Sequence, residues 1–271
     1  MTGLGSAPGK WADLRVRLTS AAVMVAVGAL LIWLGGVAFV GLVTALTAVM
    51  VWELSMVTAP LRRQTALLLA GAAAVALLVT VWSGQELAGA FLLLPAMGLA
   101  MTPRRDRRLA AGYGAAVLVA GFGLISLRMG GGAVILWLVA VVVVSDIAGY
   151  FAGRSLGGPK FWPAISPKKT WTGTAAGWLG AALVGLVFVV AGRADWGLVL
   201  LSPLVAFAGQ LGDIAESWIK RRAGVKDASR LIPGHGGVLD RFDAMTGAVV
   251  AVMLLGLLLP LPLPFSGPVA G

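Results

Sequence analysis

Cysteine is absent from the 271-residue chain, and charge is scarce, at 12% of residues. Without cysteine there is no disulfide, no thiolate nucleophile and no sulfur-ligated metal. Soluble proteins carry roughly 25% charged residues. A soluble fold of this length could not cover its apolar surface with so few, since 59% of the residues are hydrophobic and the mean hydropathy is +0.95. Alternation of apolar and polar residues is also lacking: Leu136–Val144 is apolar throughout, unlike the strand of a membrane barrel. Open sheets are excluded in lipid, where their edge N–H and C=O groups would find no partner. What remains is an all-α protein, a polytopic bundle of membrane helices.

The apolar runs, each about 20 residues long, predict about nine transmembrane helices, at 18–34, 37–57, 65–82, 87–101, 109–127, 132–152, 172–192, 196–219 and 243–260. The fourth is short and holds Pro95, so a kink or an incomplete span is expected there. Residues 1–17 form a basic lead-in without a cleavable signal, expected to be retained. Residues 18–128 hold about five N-terminal helices, and 129–271 form the candidate catalytic region. Of the 21 Lys and Arg residues, 19 fall on one side of this topology, leaving only Arg128 and Arg193 on the other. The positive-inside rule then predicts a cytoplasmic N-terminus, an external C-terminus and cytoplasmic loops at 153–171 and 220–242. It also accounts for the net charge of +10 without nucleic acid as a partner. The ten Trp residues mostly fall near predicted span ends, as an aromatic belt would place them. In the first five spans Glu53 and Glu86 are the main polar features. Glu86 falls at a predicted external interface, where water solvates it. Glu53 lies near the cytoplasmic end of its span, within reach of Arg62 or Arg63. Neither is assigned to a site.

Five of the eleven acidic residues, and the one histidine, lie between Asp213 and Asp243. Asp213, Glu216, Ser217 and Lys220 recur at i, i+3, i+4 and i+7, so a helix aligns them on one face. Asp240 and Asp243 open the last span and can face the same way. Four converging carboxylates would repel one another without a counter-ion. Magnesium, a hard cation that takes oxygen ligands and phosphate oxygens, is therefore expected on Asp213, Glu216, Asp240 and Asp243, with a second metal ion left open. Lys220, Arg221, Lys226, Arg230 and Arg241 suit a nucleoside triphosphate and a departing pyrophosphate. In Pro233-Gly234-His235-Gly236-Gly237 the glycines permit left-handed backbone angles and close approach to a phosphate. His235 can bind phosphate, help a proton leave, or only cap the loop. A positive-inside loop salt-bridged to nearby acids explains the bases, but not four acids at helical spacing where spans meet the interface.

Two further segments belong with this cluster. Ser145-Asp146 interrupts the apolar sixth span, and an ionisable residue at that depth points to function, with pairing to Arg154 as the structural alternative. Ser166-Pro167-Lys168-Lys169-Thr170 sets paired lysines beside hydroxyls, which suits phosphate contact and suits topology equally well.

At these residues the chain resembles the phosphatidate cytidylyltransferases (CDP-diacylglycerol synthases). The likeness runs without a gap from Ser217-Trp-Ile-Lys220-Arg221 through Lys226-Asp227, Ser229, Ile232-Pro233 and His235-Gly236-Gly237-Val238 to Asp240-Arg241-Phe242-Asp243. It extends to Gly212-Asp213-Ile-Ala-Glu216, to Asp146-Ile-Ala-Gly-Tyr150-Phe-Ala-Gly153-Arg154 and to Ser166-Pro-Lys168-Lys169-Thr170-Trp171. The first five spans resemble the family only in hydropathy. The resemblance implies an enzyme that joins CTP and phosphatidic acid, with magnesium, into CDP-diacylglycerol and pyrophosphate. It also implies a homodimer, and a compact chain without a transit peptide points to a bacterial inner membrane. On this reading Lys220, Arg221, Lys226, Asp227 and His235 are catalytic candidates. Asp146, Arg154, Ser166, Lys168, Lys169, Ser217, Gly236, Gly237 and Arg241 are candidates for binding substrate. One departure stands out: the family usually has an acid after Lys-Lys-Thr-Trp, and this chain has Thr172. A CTP-dependent lipid kinase is the competing enzyme reading, and an ion-coupled transporter the competing class. The transporter would show interrupted helices in two corresponding halves, whereas the polar chemistry here is confined to one.

Overall fold

The computed structural model describes residues 10–83 and 88–264, and Glu86 lies outside them. The chain runs α1 (Lys10–Leu34), α2 (Gly36–Thr58), α3 (Arg63–Ser83), α4 (Ala88–Leu92), α5 (Leu94–Met101), α6 (Arg107–Met129) and α7 (Gly132–Ser155). A short hairpin, β1 (Lys160–Trp162) and β2 (Ser166–Thr170), then leads to α8 (Trp171–Val190), α9 (Gly197–Ala223) and α10 (Leu239–Leu258). Every expected span therefore meets helix. Seven of these helices are long and apolar enough to cross a membrane, whereas Leu18–Leu34 and Gly89–Met101 are shorter apolar stretches. The fourth span is two helices and not one kinked helix. Pro95 sits in the first turn of α5, where its missing N–H breaks no hydrogen bond.

The outside of the bundle is apolar, as lipid demands. Leu68, Leu183, Leu200 and Leu257 are all more than 60% exposed. Inside lie two packed cores. One gathers Leu54, Leu77, Leu99 and Leu118 from α2, α3, α5 and α6. The other gathers Trp137, Ala181, Leu198, Val205 and Val249 from α7 to α10. The helices of the second core approach closely because glycine lines their crossings. A Cβ on Gly173 of α8 would stand 2.6 Å from the Gly149 carbonyl oxygen of α7, and one on Gly212 of α9 would stand 2.5 Å from the Asp243 carbonyl oxygen of α10. Small residues permit such contact, which supplies packing energy that lipid cannot.

The hairpin pairs Lys160 with Thr170 and Trp162 with Ser166, antiparallel. It lies in a loop between helices, so its open edges do not violate the exclusion of sheets from lipid. Thr170 ends the hairpin and caps α8, its Oγ1 accepting from Gly173 N at 3.2 Å. α9 ends at Gly224, in the left-handed conformation at φ 78°. Gly224 N donates to Arg221 O and Val225 N to Lys220 O, the paired bonds of a Schellman stop. These two ends aim the hairpin and the 224–238 loop at the same end of the bundle.

Candidate active site

A cavity of about 570 Å³ opens between α7, β2, the start of α8 and α9. Among its lining residues are five that the sequence singled out: Asp146, Arg154, Lys168, Lys169 and Asp213. They arrive from three elements separated by up to 67 positions in the chain. Lys169 Nζ lies 2.5 Å from Asp213 Oδ2 and 3.4 Å from the Gln210 carbonyl oxygen. Ser217 Oγ donates to the other Asp213 oxygen at 3.4 Å. Arg154 does not pair with Asp146 as one expectation had it; its Nη1 donates to Tyr150 Oη at 2.7 Å. The guanidinium thereby stands at the cavity wall with most of its donors available to an anion. Ser166 sits in the hairpin, off the wall. The Thr172 hydroxyl bonds the Gly157 carbonyl and Thr170, so the residue in place of an acid braces the turn before α8.

The remaining acids and bases assemble behind this wall. Lys220, with 10% of its side chain exposed, lies 2.6 Å from Glu216 Oε2 and 2.5 Å from Asp240 Oδ1. Both Asp240 oxygens also accept from the backbone, Oδ1 from Ala228 N at 3.2 Å and Oδ2 from Ala228 N at 2.9 Å and Gly237 N at 2.7 Å. Glu216 meets Lys220 at ion-pair distance, yet neither of its oxygens is in a hydrogen bond. The Lys220 ammonium group is a counter-ion to both carboxylates. Lys220, Glu216 and Asp240 thus tie α9, the 224–238 loop and α10 together.

The loop itself is pinned from the N-terminal half of the chain, which the sequence reading left without a role. Glu53 of α2 is fully buried and pairs with neither Arg62 nor Arg63 among its recorded bonds. It accepts instead from Ser229 Oγ at 2.5 Å, Val238 N at 3.0 Å and Leu239 N at 2.6 Å. The last two are free amides at the start of α10, where a carboxylate is favoured. A Cβ on Gly237 would stand 2.6 Å from Glu53 Oε1, so that glycine is required by close approach. Of the three glycines in 233–237, Gly234 and Gly236 take positive φ, at 76° and 92°. His235 Nδ1 lies 2.8 Å from Ser20 Oγ of α1, and Arg241 Nε donates to the His235 carbonyl at 3.1 Å. Arg221 Nη1 donates to Val225 O at 3.1 Å. Lys226 and Asp227 are exposed in the loop. Outside the spans, Asp106 takes two 2.7 Å hydrogen bonds from Arg222, which hold its carboxyl below the usual carboxylate range.

The four acids expected around one metal have different partners in this structure. No group of three or more His, Cys, Asp or Glu side chains poised for a metal occurs among the described residues. Asp240 is engaged by Lys220 and two backbone amides, and Glu216 lies at ion-pair distance from Lys220. Asp213 and Asp146 line the cavity, and Asp243 is within electrostatic reach of both. Magnesium ordinarily takes one or two carboxylates, with phosphate and water oxygens completing its shell. This hard-oxygen set on the cavity side fits it.

The model of the cytidylyltransferase family matches residues 15–259. A phosphatidate cytidylyltransferase of Brucella suis is 38% identical over 262 residues, covering 90% of this chain and 93% of its own. Those of Haemophilus influenzae and Staphylococcus saprophyticus are 41% identical over 122 residues and 45% over 113, covering 42% and 41% of this chain and 42% and 44% of their own.

Proposed function

The chain belongs to the cytidylyltransferase family, and from that membership we propose that it transfers the cytidylyl group of CTP to phosphatidic acid, giving CDP-diacylglycerol and pyrophosphate. The observation that carries this reading is one cavity, at the charged ends of membrane helices, with Arg154, Lys168 and Lys169 set against Asp146 and Asp213. Such a site can hold phosphate groups while acyl tails stay in the bilayer.

An oxygen of the lipid phosphate attacks the α-phosphorus of CTP. The new O–P bond forms as the bond to the β-phosphate oxygen breaks, and pyrophosphate leaves with that electron pair. A phosphomonoester has a second pKa of about 6, so the nucleophile needs no strong protein base. The obstacle is repulsion between two anions. Lys168, Lys169 and Arg154 lower it by holding phosphate oxygens. Lys169 leaves Asp213 as phosphate arrives, which frees that carboxylate. Magnesium on Asp213, with Asp146 or Asp243, would supply Lewis-acid neutralisation of the triphosphate. Lys220 and Glu53 keep the loop and α10 in place, and Arg221, Lys226, Asp227, His235 and Arg241 lie in that loop or at its two ends.

The 19-to-2 division of basic residues supports a site facing the cytoplasm. Bacterial relatives support an inner membrane as its location. The homodimer belongs to the same proposal. CTP labelled at the α-phosphate, incubated with phosphatidic acid and purified protein, tests the reaction: label is expected in the lipid. CDP released with no label in lipid would make the chain a kinase and end this reading.

A further inference from the structure

A second cavity, of about 370 Å³, opens between α2, α3 and α6. Val37 and Phe39 line it from the start of α2, Trp82 from the end of α3, and Ile125, Arg128 and Met129 from the end of α6. Glu53, near the other end of α2, holds the loop behind the phosphate cavity, and about 20 Å of helix separates it from Phe39. Phe39 and Ile125 form a buried floor, whereas Val37, Trp82 and Met129 form exposed lips. Arg128 is the one charged residue in the lining among the described residues. Its Nε donates to Ile32 O at 2.9 Å and its Nη2 to Trp33 O at 3.5 Å, which seats the guanidinium over the turn from α1 to α2. Gly35 takes φ 62° in that turn, and a Cβ there would stand 2.5 Å from Nη2, so the turn admits the guanidinium only as glycine. Nη1 has no hydrogen bond or ion pair among the described residues and is not a buried unpartnered atom. Its two N–H groups are open to a ligand.

An arginine in the last turn of a membrane helix, without a carboxylate partner, calls for an anion from outside the chain. The groove beside it is apolar and lies within the last turns of its helices, the depth at which phospholipid headgroups give way to acyl chains. We propose that this cavity binds an anionic phospholipid, whose phosphate accepts from Arg128 Nη1 while the upper part of one acyl chain lies over Phe39 and Ile125. A guanidinium presents its donors as a planar fork suited to phosphate oxygens, and basic pockets between membrane helices hold acidic headgroups in this way. Charge selects the headgroup. No carboxylate lines the cavity among the described residues, so an ammonium-bearing headgroup would meet only the like charge of Arg128. Trp82 at the lip suits the boundary between headgroup and chain. This lipid is separate from the one that reacts: it occupies the opposite end of the bundle and takes no part in cytidylyl transfer.

The test adds phosphatidylglycerol or phosphatidylcholine with the same acyl chains to the full-length protein in detergent and follows thermal unfolding. Phosphatidylglycerol should raise the wild-type midpoint by about 5 °C at saturation, and phosphatidylcholine should raise it much less. Arg128→Gln should abolish the difference between the two lipids. Lys169→Ala, which weakens anion binding in the phosphate cavity, should keep it. Each comparison is made within one preparation, so a lower starting midpoint in a variant does not alter it. If Arg128→Gln fails to fold, the wild-type protein still decides the matter. A phosphatidylglycerol probe with a diazirine in its upper acyl chain should label peptides that hold residues 36–40, 81–82 or 125–129. Equal midpoint shifts by both lipids in wild type overturn the inference. So does an Arg128→Gln protein that keeps the difference, or a Lys169→Ala protein that loses it, since the lipid would then sit in the phosphate cavity. Labelling confined to other peptides overturns it as well.

Discussion

At the scale of single residues, spacing identified the charged side chains and contact decides their work. Lys220 and Lys169 both read in the sequence as candidates for phosphate contact. Lys220 is enclosed by Glu216 and Asp240, whereas Lys169 stands at the cavity wall with one exchangeable partner, Asp213. Lys226, a stronger candidate by motif, is exposed in the loop and off that wall. Lys169→Ala should therefore lower kcat/KM by about 100-fold or more, in the range seen when one donor to transition-state charge is removed. Lys226→Ala should cost less than about tenfold. Steady-state rates with labelled CTP measure both, and the reverse order would move the phosphate site to the loop. Helical periodicity put Asp213 and Lys220 on one stripe. It could not register that Lys169, 44 positions before Asp213, comes to meet it.

Among elements, the site depends on a helix that carries none of the motif. α2 supplies Glu53, whose bonds to Ser229, Val238 and Leu239 span 176 to 186 positions. Each buried donor left unpaired costs about 1–3 kcal/mol. Glu53→Ala should thus lower the thermal midpoint in detergent and loosen the 224–238 loop. Glu53→Gln keeps one acceptor oxygen and should fall between the two. Thermal unfolding together with protease nicking of the loop measures this order, and a Glu53→Ala protein as stable and as protected as wild type would remove the tether. A signal for Glu53 was present in the sequence, since a carboxylate within a membrane span is unusual. The nearby arginines offered a local explanation that the fold does not use.

For the whole molecule, the lack of cysteine turns topology into a direct measurement. Single cysteines can be added to a silent background. Arg193→Cys should react with a membrane-impermeant maleimide in intact cells, and Lys160→Cys only after lysis. Labelling of Lys160→Cys from outside would invert the orientation that the basic residues predict. The sequence alone determined the solvent, the helical class and the end of the bundle that carries charge. It could do so because hydropathy sums over neighbours in the chain, and lipid forces each long apolar run to satisfy its own backbone hydrogen bonds. Only the tertiary structure decided which charges neutralise one another and which line the cavity. Those outcomes depend on contacts between helices far apart in sequence, set by glycine crossings such as Gly149 on Gly173, and no local pattern encodes them.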